Sequence, residues 1–465
     1  MLPHATSTSL MAASVYLLHP LQTEAVAYVA GRSDLLSSAL AYGSFALYLS
    51  SGRGRLAWGR AAAILILLLF ACLAKENCVV LPLVFLLTDL YWGEAGTFKS
   101  RKIFYSVLAS ASAILAAFLA YRILPTAQAA GFGLSNLSPA QFFFTECRAF
   151  WQYVRLFCFP AGQNADYDFA YSRTVMEHGA LAAFFVLAAL VALAIACRRG
   201  FKLASYGFLL FLLLLAPTSS LIPIADPFVE RRMYMPLIGL LLVAIGLTVP
   251  ALRETKRFHA AVAAGWVLIG LFAVLTWRRS HVWESPLALW TDTVAKSPHK
   301  YRPRFQLAYA EYQSGKCAEA ASQYSITSSL GSRDSRLLID WALAEDCAGR
   351  PDSAIARLRE AAAMDPNPLA LTQIGFILAR QHKYDEALHV LDQAAAAAPD
   401  VETAFVYRAL VYINTGELAK AKKDLERALA LDPWNPTAAA AYRLVQSRDN
   451  AERPPLEPCQ RGPCH

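Results

Sequence analysis

Long apolar runs fill residues 1–280, and a shorter helical alternation of apolar and polar positions takes over from 301. The runs lie near 5–19, 35–50, 61–74, 78–92, 103–121, 179–197, 204–222, 234–250 and 259–277. Each approaches the roughly 17–25 residues that a helix needs to cross a bilayer core, and short spans can be met by local thinning. A further apolar stretch at 141–159 carries Glu146, Arg148 and Arg155. Four connectors are basic: Arg53, Arg55 and Arg60; Lys99, Arg101 and Lys102; Arg198, Arg199 and Lys202; Arg253, Lys256 and Arg257. All four fall on one side only if 141–159 does not cross. The positive-inside rule therefore predicts a re-entrant or interfacial helix there and about nine crossings. The first residues then lie inside and residues 281–465 outside.

From 301 the pattern repeats with a period of about 34 residues, that of the tetratricopeptide helix pair. Gly315, Gly349 and Gly416 recur in the turn between the two helices of a pair, with His382 in the third copy. Ala320, Ala354, Ala387 and Ala421 follow at a small position, and Tyr324, Leu358, Leu391 and Leu425 at a large one. Pro366, Pro399 and Pro433 close three copies, because proline cannot continue the hydrogen-bond ladder; Ser332 stands in the first. The expected division is a membrane domain over 1–280, a linker over 281–300, repeats over 301–446 with a cap at 436–446, and a disordered tail over 447–465. The fold class is all-α, a polytopic helix bundle followed by a solenoid. The repeats carry no catalytic constellation, so their expected role is to bind proteins.

Composition agrees: 56% of the 465 residues are hydrophobic and 17% charged, against about 25% charged in an ordinary soluble domain. The net charge of +8 does not point to nucleic acid, because the basic residues are split among the connectors instead of forming one patch. No cysteine spacing suggests a metal site. Cys72, Cys78, Cys147, Cys158 and Cys197 read as packing within or beside apolar runs, and Cys459 and Cys464 make at most a weak pair in the tail. Cys317 opens the second helix of the first repeat and Cys347 nears the end of the first helix of the second. These helices run antiparallel as neighbours, which leaves two readings open: a disulfide in an oxidising compartment, or two small apolar fillers.

The outward connectors are richer in chemistry. HPLQTEAVAYVAGRSD at 19–34, AKENCVVLPLVFLLTDL at 74–90, RLFCFPAGQNADYDF at 155–169, PTSSLIPIADPFVERRMYMP at 217–236 and RRSHVWESPLALWTDTVAKSP at 278–298 follow one another in order before the repeats. In this order and spacing the chain resembles the transmembrane and tetratricopeptide-repeat-containing protein O-mannosyltransferases and their bacterial relatives. The resemblance implies a C-type glycosyltransferase membrane fold. It also implies inverting transfer of mannose from a polyprenyl-phosphate lipid to Ser or Thr of an acceptor protein at the outer face. An acidic residue would act as general base, and arginines would hold the lipid phosphate.

Carried to this chain, the implied catalytic residues are Glu24 and Asp34, able to meet a divalent cation or sugar hydroxyls. The alternative for Asp34, as for Ser33, is a helix cap. Arg32, Arg231, Arg232 and Glu230 are the implied phosphate site, with headgroup anchoring as the alternative for the arginines. Glu24, Arg32, Arg231 and Arg232 are expected to share one outward cavity. Asp166 and Asp168 are candidates for an acceptor loop, and Lys75 and Glu76 for a structural ion pair. Two departures stand out. The acidic motif that the fold carries after its first membrane helix is expected to be absent, since the sequence opens at what resembles an inner helix. Gln22 and Arg231 stand where the family often has His. The competing reading is a non-catalytic membrane anchor whose repeats recruit envelope or secreted proteins; a transporter is disfavoured because no internal hydropathy repeat is present.

Overall fold

The computed structural model describes residues 5–52, 56–94, 96–123, 137–219, 226–252, 258–364 and 367–452. The chain divides into two compact units, Met1–Ser297 and Pro298–His465. Among the described residues all regular structure is helical.

The N-terminal unit contains α1 (Ala5–Leu18), α2 (Thr23–Ala27), α3 (Arg32–Ser50), α4 (Trp58–Ala74), α5 (Leu81–Trp92), α6 (Thr97–Ser100), α7 (Lys102–Ile123), α8 (Pro139–Cys158), α9 (Ala180–Ala196), α10 (Lys202–Leu215), α11 (Leu237–Leu252), α12 (Phe258–Val282) and α13 (Pro286–Lys296). Each apolar run of the sequence contains a helix, although the run at 204–222 is helical only to Leu215 and its residues 220–222 lie outside the described residues. Two helical stretches, Glu177–Ala196 and His259–Val282, are long and apolar enough to cross a membrane. Others, such as α1, α4 and α10, are apolar but shorter. Only 6% and 11% of the most apolar windows in the two long stretches are buried, which is not how the core helix of a soluble domain behaves. α10 and α11 approach most closely, through small residues: a Cβ on Gly207 would come within 2.6 Å of the Gly239 carbonyl oxygen. That spacing lets two backbones touch and brings the chain on either side of them together.

Helix α8 occupies the stretch expected not to cross. Ser138 and Gln141 form a reciprocal cap at its start, and Phe142, Glu146, Ala149, Phe150 and Tyr153 lie on its buried face while Arg155 is exposed. Of the basic connectors, Arg60, Lys99, Lys102, Arg198, Arg199 and Lys202 are exposed. Arg101 is not. It is buried against Asp89, 3.0 Å away, with Tyr105 donating to the same carboxylate and the Tyr48 ring under the guanidinium. Arg53, Arg55, Arg253, Lys256 and Arg257 lie outside the described residues.

The segment expected as a linker is structured. Ser285 caps α13, Asp292 pairs with Arg279 at 2.8 Å, and Lys296 donates to the Gln163 carbonyl at 2.7 Å. These bonds fasten α13 to the N-terminal unit, so the boundary falls at Ser297 and Pro298.

The second unit is four helix pairs: α14 (Tyr301–Gln313) with α15 (Cys317–Leu330), α16 (Ser335–Cys347) with α17 (Pro351–Met364), α18 (Pro368–Arg380) with α19 (Tyr384–Ala397), and α20 (Glu402–Thr415) with α21 (Leu418–Leu431). The small and large positions read from the sequence, Ala320 to Ala421 and Tyr324 to Leu425, are all fully buried. Burying one such large side chain stabilises the stack by roughly 2 kcal/mol. Gly315, Gly349 and Gly416 turn the chain with φ of +75°, +76° and +82°; His382 does the same at +61° without the freedom of glycine. The cap α22 (Pro436–Glu452) runs past 446; the tail from 453, with Cys459 and Cys464, lies outside the described residues. Cys317 and Cys347 form a disulfide, Cα atoms 5.6 Å apart, where α15 starts beside the end of α16.

Candidate functional site

Several functional candidates of the N-terminal unit, Glu24, Glu230 and Arg231 among them, are brought by the helices to one buried polar cluster. Its floor is the turn between α1 and α2. His19 accepts from the Leu21 amide at 3.2 Å, and its other ring nitrogen meets the Phe157 carbonyl at 3.1 Å. This fixes the Pro20–Gln22 turn and places Glu24 in the first turn of α2, 3% exposed. Glu24 accepts from the Arg231 amide at 3.1 Å and from its guanidinium at 3.0 Å. Burial raises the Glu24 carboxyl to about 7; neighbouring Glu230 adds to this and Arg231 opposes it.

Glu230 is completely buried. It accepts from the Gln163 side chain at 2.7 Å, from the Asn164 amide at 2.8 Å and from the Tyr167 hydroxyl. Burial pushes its pKa upward, against the pull of the Arg279 cation, and burial followed by Glu230 pushes Tyr167 upward too. The 163–168 loop is tied in turn to the end of α13. Ser297 bridges the Asn164 side chain, the Asp166 carbonyl and the Asp168 amide, at 2.8, 2.9 and 3.1 Å. Asp166 is buried and Asp168 exposed.

Of the four residues expected to share one cavity, the structure joins Glu24 with Arg231. Arg232 leaves the same turn in another direction. Its guanidinium donates to the carbonyls of Pro227 and Asp226 and stops 4.0 Å from Glu146. Arg32 is exposed at the start of α3 and has no ion pair among the described residues. Asp34 does not cap α3, whose N-cap is Gly31. It lies a turn in, 7% exposed, and pairs with Lys75. Lys75 is thus satisfied across the connectors while Glu76 is exposed. Among the described residues no group of three or more His, Cys, Asp or Glu side chains is placed to hold a metal ion.

The sequence reading overlooked two groups. Arg279 is 7% exposed and spends one nitrogen on Asp292; among the described residues its Nε and second terminal nitrogen are buried without a hydrogen-bond partner. One helical turn on, the indole N–H of Trp283 is likewise buried and unpartnered. Buried donors of this kind are costly unless something accepts from them. Glu146 is a buried carboxyl, 4% exposed, beside Arg232 at 4.0 Å and Ser219. The signals were present, a doubled arginine closing an apolar helix and a glutamate at helical spacing on an apolar face, but neither names a partner.

Beside this cluster an apolar groove of about 610 Å³ runs between α1, α3 and α11, lined by Ala12, Ala13, Ser38, Ala39, Leu241 and Ile245 among others. That volume is within the usual range of ligand sites, about 300–1,000 Å³. Its polar end is a tyrosine group: Tyr16 meets the Tyr42 hydroxyl at 2.8 Å and donates to the Tyr234 carbonyl at 2.6 Å. Tyr234 follows directly on the Glu230–Met233 turn.

The repeats of the other unit are recognisable by comparison. The tetratricopeptide repeat family profile matches residues 403–433. The chain carries a tetratricopeptide repeat. Similar solved structures include YrrB, described as a TPR protein with an unusual peptide-binding site, at 16% identity over 43% of this chain and 98% of that one, TM-score 0.30. The first TPR of Spaghetti (RPAP3), bound to an HSP90 peptide, is 26% identical over 26% of this chain and 96% of that one, TM-score 0.25. A thermophilic TPR protein of Thermus thermophilus, TTC0263, is 19% identical over 38% and 95%, TM-score 0.31. No curated protein sequence matches the chain.

Proposed function

We propose that the N-terminal unit is a multi-pass membrane glycosyltransferase of the O-mannosyltransferase kind, and that the repeats bind polypeptide partners for it. One observation carries the reading. The five sequence stretches behind the family resemblance are far apart in the chain, and four of them meet in one buried cluster: Glu24 from the first, Gln163, Asn164 and Tyr167 from the third, Glu230 from the fourth, Arg279 and Lys296 from the fifth. The second joins the first through Lys75 and Asp34. Fixing charge this deep is costly, and a membrane enzyme is one context that repays it.

The donor would be a polyprenyl-phosphate sugar. Its chain would occupy the apolar groove, which ends at Tyr234, and its phosphate would take the spare N–H groups of Arg279 and Trp283, with Arg231 nearby. The bundle would make about nine crossings with α8 at the interface, and the cluster, the disulfide and the repeats would all lie on the oxidising, extracytoplasmic side. A reporter fused after residue 300 is expected to be active only outside the cytoplasm; cytoplasmic activity overturns the topology.

The decisive experiment reconstitutes the full chain in liposomes with polyprenyl-phosphate mannose and a Ser/Thr-rich acceptor peptide. Transfer of labelled mannose to the peptide is expected. Absence of transfer, with the peptide still retained by the protein, would favour the second reading, a membrane-anchored scaffold, which the matched repeat at 403–433 supports.

A further inference from the structure

The end of α9, the start of α10 and the last turns of α5 enclose a second cavity, of about 590 Å³. Its walls are apolar: Leu87 and Leu90 of α5, Ile195 of α9 and Leu209 of α10. Its rim is cationic, formed by Arg198, Arg199 and Lys202, and among the described residues no carboxylate lines it. Arg198 and Arg199 are exposed and have no ion pair among the described residues, while Lys202 rests over the Trp92 ring at 5.5 Å. Asp89, which shares α5 with the wall leucines, is already committed to Arg101 at 3.0 Å. Three like charges around one opening repel one another, and an anion placed among them relieves that repulsion.

The cavity is held in shape by one side chain. The Ser205 hydroxyl of α10 donates to the Ala194 carbonyl of α9 at 2.6 Å and meets the Tyr91 hydroxyl of α5, which lines the cavity. α10 starts at Lys202 with no side chain capping its first turn, so the positive end of a 14-residue helix adds to the rim. At the other end of α10, Phe211 and Leu215 pack with Leu21, Phe228 and Met233 beside the glutamate cluster. A helix of this length spans about 20 Å, so the two sites are separate.

We infer that this cavity binds an anionic phospholipid, with its headgroup phosphate on Arg198, Arg199 and Lys202 and its acyl chains along Leu87, Leu90 and Ile195. This rests on the membrane reading above, in which the 198–202 connector lies at the cytoplasmic headgroups. The apolar walls favour a lipid over a free anion. A soluble phosphate would satisfy the rim and leave those walls in water, whereas an amphipathic anion meets both at once. Leu90 and Ile195 are exposed, and the apolar surface of α9 continues outward from the cavity, which gives the chains a path into the bilayer. The guanidinium forks suit phosphate oxygens. With three cations present, a lipid carrying two phosphates should bind more tightly than one carrying a single phosphate.

The test titrates the full chain in detergent with fluorescent cardiolipin, phosphatidylglycerol or phosphatidylcholine. The expected order of affinity is cardiolipin, then phosphatidylglycerol, then phosphatidylcholine. The combined Arg198→Gln, Arg199→Gln and Lys202→Gln variant should lose about 100-fold in cardiolipin affinity, roughly fivefold for each cation. A control that removes three charges from other connectors, Arg60→Gln, Lys99→Gln and Lys102→Gln, should lose less than threefold. Equal losses in the two variants would mean bulk charge attraction and overturn the site. Inorganic phosphate that displaces cardiolipin at equal concentration would overturn the lipid assignment in favour of a soluble anion. Should the triple variant fail to fold, Leu209→Trp decides, because it fills the cavity and keeps every charge: lost binding supports the site and unchanged binding overturns it. A chain stripped from membranes by an alkaline wash would overturn the membrane reading and this site with it. A chain that stays embedded yet binds cardiolipin no better than phosphatidylcholine overturns this site alone.

Discussion

Arg380 in the repeats and Arg231 in the N-terminal unit both reach a carboxylate, at 2.9 and 3.0 Å. Their settings are opposite. Arg380 is 51% exposed and meets Asp346 on the outside of the stack, whereas Arg231 meets a Glu24 that is 3% exposed. In the repeats the interior is mostly apolar, Asp424 buried against Arg408 being an exception, and most ion pairs lie on the outside where each contributes little. In the N-terminal unit the apolar surface of the long helices faces outward and the charges are gathered inside. There the polar contacts decide the structure, and removing one partner leaves another stranded.

The largest break in this contrast should come from Glu230→Ala. It leaves the Gln163, Asn164 and Tyr167 donors buried without an acceptor, and a loss of about 3–5 kcal/mol is expected. Thermal unfolding in detergent measures it; a shift of only a degree or two would contradict the buried network. Next comes the disulfide. Cys317→Ser in a 298–452 fragment should destabilise the repeats by about 3 kcal/mol in urea unfolding, through the 30-residue separation it spans. An unchanged midpoint under oxidising conditions would show that the bridge does not form.

The pH response tests the buried Glu24 carboxyl of the N-terminal unit. Glu24 is raised to about 7 in the folded state from an ordinary value of 4.5, so the folded form holds a proton that the unfolded form has lost across that window. Its contribution is fully present below about pH 4.5 and is lost as pH rises through about 7. The N-terminal unit is therefore expected to melt lower at pH 8 than at pH 5. A melting temperature that climbs over this range would contradict a protonated, buried Glu24.

The smallest effects belong to the surface of the repeats. Arg380→Ala should cost no more than about 1 kcal/mol. His382→Gly relieves a left-handed backbone at φ +61° but loses the contact of the ring with the Tyr384 hydroxyl at 2.9 Å, for a net gain of up to about 1 kcal/mol. A large loss in either variant would mean that the outside of the stack is coupled to more than its neighbours.

How far each region could be read from sequence follows the same division. The four helix pairs, their small and large positions and the left-handed turns were legible, because each repeat contacts only its neighbours and its pattern is local. The apolar helices of the N-terminal unit were legible as segments; their crossings depend on loop charges that lie partly outside the described residues. The segment 281–300 read as a linker because nothing local to it marks Asp292 and Lys296 as partners of Arg279 and Gln163. Its Ser285-Pro286 start was the only hint of a packed helix.

Sequence by itself determined which apolar runs and repeats are helical, which faces are apolar, and which loops collect Glu, Asp and Arg. The tertiary structure alone decided the pairings. Glu24 and Arg231 are 207 positions apart and Gln163 and Glu230 are 67 apart, so no period or motif can register one against the other. The close approach of α10 and α11, the packing of α12 against α1 and α2, and the folding back of α8 and α13 bring those loops together. The same packing left Arg32 exposed, gave Asp34 to Lys75, and set Glu146 in the interior beside Arg232. Those outcomes follow from which side chains share a small buried volume, a quantity that is fixed only when the whole unit closes.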